Sequence, residues 1–164
     1  VFDRSVSLFS YAEEAITLVH RLKFNEKLAY SRLLGSMLAD AIDKNNIELP
    51  DCILPVPLYK SRLRQRGFNQ SVELARPIAN RFNIAIDVQS VKRVRDTKTQ
   101  TGLDRIQRRK NIDGAFHIAH TITAKHVAIV DDVVTTQSTV NELARLLKRA
   151  GVKRVDVWSI ARAL

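Results

Sequence analysis

The hydrophobic residues of the chain follow two different spacings, and the first of them is helical. Ser10 and Glu13 have the spacing of a capping box, and apolar residues continue after them at helical intervals as far as Leu22. A second helical pattern covers residues 28–42 and stops before Asn45 and Asn46. The first 49 residues are therefore predicted to form two helices that serve as a cap or hood portion of the domain.

From residue 50 onward, short apolar runs alternate with amphipathic helical segments. The helical segments are residues 70–82 and 139–150, the second of which is followed by Gly151 as a stop signal. The apolar runs are residues 52–56, 84–86, 127–130 and 155–160. Apolar strands that alternate with helices predict an α/β fold, with a parallel sheet flanked by helices. With 164 residues, the chain is predicted to be a single domain, residues 1–164.

Charge is distributed unevenly. The net charge is +10, and two segments account for all of it. Residues 57–70 hold four basic residues and no acidic one, and residues 92–110 hold eight basic residues and two acidic ones. Such segments favour a polyanionic ligand, either the phosphates of a small molecule or nucleic acid. The single cysteine excludes an intrachain disulfide, and neither a membrane-spanning run nor a signal peptide is present, so we expect a cytoplasmic protein.

The most informative motif is the run from residue 126 to residue 140. A fully apolar strand ends in Asp131 and Asp132, and hydroxyl residues then open a helix. The N-terminus of a helix binds phosphate, and carboxylates suit vicinal hydroxyls or an indirectly held divalent cation. Phosphate beside a diol describes a ribose 5-phosphate unit. The alternative is a strand end and a helix cap with no ligand, which accounts for the individual residues but less well for the whole run.

This run resembles the phosphoribosyl pyrophosphate (PRPP) motif of type I phosphoribosyltransferases. Residues 54–70, with the sequence LPVPLYKSRLRQRGFNQ, resemble the hallmark of one branch, the ComF/GntX family of competence and DNA-utilisation proteins. A third block has the spacing of the same family and consists of Arg95, Thr97, Gln100, Leu103, Arg108, Asn111, Ala115 and Phe116.

The resemblance implies a role for each block. Asp131 and Asp132 would hold the ribose hydroxyls of PRPP. The 5-phosphate would be bound by Val134, Thr135, Thr136, Gln137, Ser138 and Thr139. The pyrophosphate would face Leu58, Tyr59, Lys60, Arg62 and Arg66. The stretch that includes Arg93, Arg95, Lys98, Gln100 and Arg108 would be a mobile loop over the site, and Mg²⁺ would accompany PRPP.

The chain departs from the family pattern in two ways. Gln137 stands where the family usually has glycine, and a backbone with positive φ there would be strained. The four-cysteine zinc ribbon that commonly precedes the domain is not in this sequence, and the first residue is not methionine, so we expect such a segment to have been trimmed or lost upstream.

Two functional hypotheses remain open. In the first, the protein is a phosphoribosyltransferase that displaces pyrophosphate at the anomeric carbon in favour of an acceptor that the sequence does not identify. In the second, it is a non-catalytic module that binds single-stranded DNA during competence, together with other competence proteins, and retains a vestigial or sensory PRPP pocket. Residues 92–110 contain no aromatic side chain, so they offer phosphate attraction without base stacking.

Overall fold

A computed structural model of the chain describes residues 1–10, 27–96 and 112–162. The helix predicted after Ser10 and most of the predicted mobile loop lie outside these residues. The described helices are α1 (Lys27–Lys44), α2 (Lys60–Arg66), α3 (Gln70–Phe82) and α4 (Ser138–Arg149). The described strands are β1 (Arg4–Ser10), β2 (Cys52–Pro55), β3 (Ala85–Ile86), β4 (Val91–Arg93), β5 (Phe116–Ile118), β6 (His126–Val134) and β7 (Arg154–Arg162).

Five of the described strands form one parallel sheet in the order β1-β7-β6-β2-β3. The central strands β6 and β7 are covered on both faces, which explains why most of their residues are buried rather than every second one. Helices α1 and α3 cover one face around Trp158, and α4 covers the other face around Leu143 and Leu147. The predicted α/β fold with a parallel sheet between helices is confirmed.

The N-terminal prediction was wrong at residues 4–10, which form an edge strand rather than part of a helical cap. The sequence RSVSLFS places Val6 and Leu8 on one side of the strand, and both pack against the core beside Trp158. The backbone pairs in parallel with β7, and the hydroxyls of Ser7 and Ser159 are 2.7 Å apart. The helix predicted at residues 28–42 is confirmed as α1.

Helix α1 lies unusually close to α3. A Cβ atom added to Gly35 would be 2.5 Å from the backbone oxygen of Leu74, so only glycine allows this approach. Contact between the two helices fixes the position of α3, whose N-terminus lies at the same end of the sheet as Asp131.

Two further elements differ from the sequence-based interpretation. Residues 60–66, for which the sequence predicted no helix, form α2. A helix puts Arg62 and Arg66 on one side and leaves Arg64 exposed on another, and Gly67 ends it with φ 78°. Strands β4 and β5 form an antiparallel pair outside the main sheet, which we call the hood hairpin.

Candidate functional site

A cavity of about 190 Å³ opens where β2 and β6 end, at the carboxyl edge of the parallel sheet. Ligands of open α/β sheets bind at this edge, because the loops that leave the strands converge there. The wall residues come from three separate stretches of the chain, within residues 56–71, at residue 93 and within residues 131–139. They are Val56, Leu58, Arg62, Arg66, Gln70, Ser71, Arg93, Asp131, Asp132 and Thr139.

Asp131 and Asp132 lie within β6 beside this cavity, held by short backbone contacts. The backbone N–H of Asp132 donates to Oδ1 of Asp131 at 2.9 Å, and the backbone N–H of Val133 donates to Oδ1 of Asp132 at 2.8 Å. The hydroxyl of Ser71, on α3, is 3.5 Å from Oδ1 of Asp131. Neither carboxylate forms an ion pair with any residue in the described ranges, so both stay available to a ligand in the cavity.

The electrostatics of the acidic pair are unfavourable in the free protein. Burial of the carboxyl group raises the pKa of Asp131 well above its ordinary value, and the nearby negative charge of Asp132 raises it further. A carboxyl group in such a position is stabilised by hydroxyl donors, which compensate for lost water without adding charge.

The hydroxyl-rich loop between β6 and α4 turns tightly at Gln137. This residue has φ 59° and ψ 3° and is the N-cap of α4, with no side-chain capping hydrogen bond. The hydroxyls of Thr136 and Ser138 on either side of it are 3.1 Å apart. The space enclosed by the loop is about 30 Å³, enough for roughly one water molecule. The left-handed backbone considered from the sequence is thus present at Gln137.

Helix α2 supplies two of the arginines of the cavity. Arg62 and Arg66 line it, whereas Lys60 is exposed and, like Tyr59, is not part of its wall. Nε of Arg62 is 3.4 Å from Oδ1 of Asp96, and Oδ2 of the same carboxylate accepts a hydrogen bond from the Ser61 hydroxyl at 3.0 Å. These contacts join α2 to the residues just after β4.

The hood hairpin contributes the third arginine. Arg93 lies on β4 with its guanidinium 5.7 Å from the centre of the Phe116 ring on β5. Burial lowers the pKa of Arg93, and the positive charge of Arg62 lowers it further. Arg95 is exposed and donates to the backbone oxygen of Asp113 at 2.6 Å, away from the cavity wall. Lys98, Gln100 and Arg108 lie outside the described residues.

Comparison with known proteins gives this geometry a context. Residues 69–163 match the family described as "Phosphoribosyl transferase domain". The chain is 41% identical to DNA utilization protein YhgH of Salmonella typhimurium, covering 99% of this chain and 74% of that protein. It is 38% identical to Competence protein F of Haemophilus influenzae, with the same two coverages of 99% and 74%. The chain belongs to the ComF family. A more distant ComF-family relative, Competence protein ComFC of Streptococcus pneumoniae, is 24% identical over 95% of this chain and 67% of that protein.

This ComF-family site also contains residues that the sequence interpretation missed. Gln70 and Ser71, in the first turn of α3, are only 3% and 5% exposed and line the cavity. Asn69 caps this helix, and its side chain accepts from the Ser71 backbone N–H at 3.0 Å. Its amide nitrogen also donates to the Val56 carbonyl at 3.0 Å, which ties the start of α3 to the end of β2. The signal in the sequence was that two polar residues, Gln70 and Ser71, directly follow the helix cap Asn69.

The described residues contain no resident metal centre and no membrane span. In residues 1–10, 27–96 and 112–162, no three His, Cys, Asp or Glu side chains are grouped so that they could hold a metal ion. No helix in those ranges is long and apolar enough to cross a bilayer.

Proposed function

We propose that this protein binds PRPP and transfers its ribose 5-phosphate to an acceptor. The observation that carries the proposal is the composition of a single cavity, in which Asp131 and Asp132 face the same space as Thr139 of the phosphate loop and the arginines of α2. PRPP combines a diol, a 5-phosphate and a pyrophosphate, and this cavity supplies a partner for each of them.

The chemistry would be nucleophilic displacement at the anomeric carbon, through a transition state that resembles an oxocarbenium ion. The protein then needs no Ser, Cys or His nucleophile. Asp131 and Asp132 would hold the ribose in place through its hydroxyls, and the loop of residues 135–139 would hold the 5-phosphate. Arg62 and Arg66 would stabilise the charge that develops on the departing pyrophosphate.

We treat Mg²⁺ as part of the substrate, delivered as a complex with PRPP. Two carboxylates at the cavity fit an ion bound mainly by pyrophosphate and water, which is the usual preference of Mg²⁺. The ion would neutralise pyrophosphate charge beside the arginines.

The proposal is tested by thermal unfolding with Mg²⁺ and PRPP, because a ligand that binds only the folded state raises the melting temperature. We expect a rise with the wild type and none with the double variant Asp131→Asn, Asp132→Asn. Asp113→Asn changes an exposed carboxylate outside the cavity wall and is the matched control. An unchanged melting temperature in the wild type at millimolar PRPP, or an undiminished rise in the double variant, would reject the assignment.

A second candidate function is binding of single-stranded DNA. It is favoured by the names of the relatives, which refer to DNA utilisation and competence, and the protein is accordingly proposed to act in those processes. Lys92 and Arg95 are exposed and belong to the segment with a net charge of +6. They could contact phosphates while the PRPP cavity stays free.

This candidate is tested by the salt dependence of oligonucleotide binding. Each phosphate contact on a single strand contributes roughly 0.7 to the slope of log affinity against log salt. The double variant Lys92→Gln, Arg95→Gln should therefore reduce the slope by about 1.4. Binding that is independent of salt, or absent at low salt, would rule out this function.

A further inference from the structure

Gln70 is a buried polar side chain in the cavity wall for which the proposed roles give no purpose. It is the first residue of α3 and is only 3% exposed. A buried carboxamide carries two N–H donors and an acceptor oxygen, and leaving them without partners is costly. The contacts of Gln70 therefore show which of its hydrogen-bonding groups the protein leaves without a partner and a ligand can use.

Arg66 determines which way the carboxamide of Gln70 points. Nη1 of Arg66 donates to Oε1 of Gln70 at 3.0 Å. A guanidinium has only donors, so it can face the amide oxygen but not the amide nitrogen. The contact fixes the orientation of the amide and directs its N–H groups away from Arg66.

The amide nitrogen of Gln70 is left facing the cavity. Among the residues that the structure describes, Arg66 is the only side-chain hydrogen-bond partner of Gln70. The nitrogen is also not among the fully enclosed polar atoms that lack a partner in the described ranges. It therefore retains contact with open space, and the open space that Gln70 lines is the PRPP cavity.

The groups around this nitrogen select an anion. Arg62 and Arg66 line the same cavity, and the positive end of the helix dipole of α3, a helix of 13 residues, lies at Gln70. We propose that Gln70 donates a hydrogen bond to an oxygen of the pyrophosphate group, and that Arg66 is a positioning residue that holds the amide for it. This assignment rests on the proposed function, because it requires PRPP in the cavity.

Gln70→Glu tests the assignment with little change of shape. The carboxylate can still accept from Arg66, so packing should be kept, but both donors are lost and a negative charge faces the ligand. Isothermal titration calorimetry with Mg²⁺ pyrophosphate and, separately, with ribose 5-phosphate measures the affinity of the protein for each half of PRPP. We expect pyrophosphate and PRPP to bind at least about tenfold more weakly, since hydrogen bonds to charged groups are strong. Binding of ribose 5-phosphate should stay within about twofold of wild type.

Failure of this inference can be distinguished from failure of the proposed function. If wild type and variant bind pyrophosphate equally and both bind ribose 5-phosphate, the role of Gln70 is overturned while the PRPP site stands. If the wild type binds neither half of PRPP, the proposed function itself is overturned.

The positioning role of Arg66 is tested in the same assay by a double-mutant cycle. Arg66→Met should weaken pyrophosphate binding more in the wild type than in a Gln70→Met background, because the wild type loses both the charge of Arg66 and the amide that Arg66 positions. Equal losses in the two backgrounds would show that Arg66 acts on pyrophosphate only through its own charge and would overturn the positioning role. Gln70→Met also serves as the donor-free variant if Gln70→Glu fails to fold.

Discussion

Replacing Gln137 by glycine should stabilise the protein and strengthen its binding of ribose 5-phosphate. Gln137 has φ 59° and makes no side-chain capping hydrogen bond at the start of α4. A left-handed backbone brings the Cβ atom of an L-residue close to its own carbonyl oxygen, and this costs roughly 1–2 kcal/mol. Glycine has no such contact, so the substitution removes the strain and also lets the loop adopt wider backbone conformations that can admit a phosphate.

The size of the gain is limited by the unfolded state. Glycine loses about 0.5–1 kcal/mol more backbone entropy on folding than other residues. The net increase in the free energy of unfolding is therefore expected to be between about zero and 1.5 kcal/mol. For a chain of this size, 1 kcal/mol corresponds to about 2–4 °C in melting temperature, and to roughly 0.3–1 M in the urea midpoint.

Urea unfolding followed by circular dichroism measures the change, and Asn83→Gly is the matched control. Asn83 has φ 53° and ends α3, but asparagine tolerates the left-handed region better than glutamine does. We expect Gln137→Gly to gain more than Asn83→Gly. A Gln137→Gly protein that is less stable than wild type, or no more stabilised than the control, would refute the strain argument.

Three other substitutions test the fold and the site through the free energy of unfolding. Gly35→Ala should lower it by about 1–3 kcal/mol despite the better helix propensity of alanine, because the new Cβ would lie 2.5 Å from the Leu74 oxygen; urea unfolding that shows a gain would contradict this packing. Asn69→Ala should lower it by about 1 kcal/mol or more, because both the cap of α3 and the bond to Val56 are lost; an unchanged urea midpoint would contradict the role of the cap. Asp131→Asn should raise it at neutral pH but not in acid. The folded state holds the proton of Asp131 more tightly than the unfolded state does, so wild-type stability falls as pH rises from the ordinary pKa of 3.8 to the raised one, by about 1.4 kcal/mol for each unit between them. Thermal melts from pH 3 to pH 8 test this prediction. It is wrong if the melting temperatures of variant and wild type change in parallel with pH.

The regular part of the fold could be predicted because its signals are local. The helix expected at residues 70–82 forms over Gln70–Phe82, since the cap at Asn69 and the apolar spacing agree. The strand predicted at residues 127–130 forms, but β6 continues to Val134. The extension carries Asp131 and Asp132, whose polar side chains are placed by pairing with β7 rather than by their own strand propensity.

The parts that could not be predicted depend on distant partners. The strand at Arg4–Ser10 forms because β7 offers an open edge about 150 residues later in the chain. The three-residue strands of the hood hairpin are too short to give a period, and their pairing also spans a long separation in sequence. The role of Gln70 depends on the orientation that Arg66 gives it, and no spacing rule encodes that orientation.

Two features that destabilise the folded protein lie at this edge of the sheet, the buried carboxyl of Asp131 and the strained backbone of Gln137. We expect their removal to have opposite effects on ligand binding. The desolvated carboxyl of Asp131 opposes folding at neutral pH, but ribose hydroxyls can compensate for it, so its removal should stabilise the protein and abolish binding. The strain at Gln137 also opposes folding, yet the enclosed volume of about 30 Å³ gives a phosphate too little room while the loop keeps this form. Gln137→Gly should therefore increase stability and ribose 5-phosphate affinity together. Asp131→Asn and Gln137→Gly could instead both stabilise the protein and both weaken the binding of ribose 5-phosphate. Gln137 would then have to contact the ligand, and the strained turn would be a functional feature like Asp131.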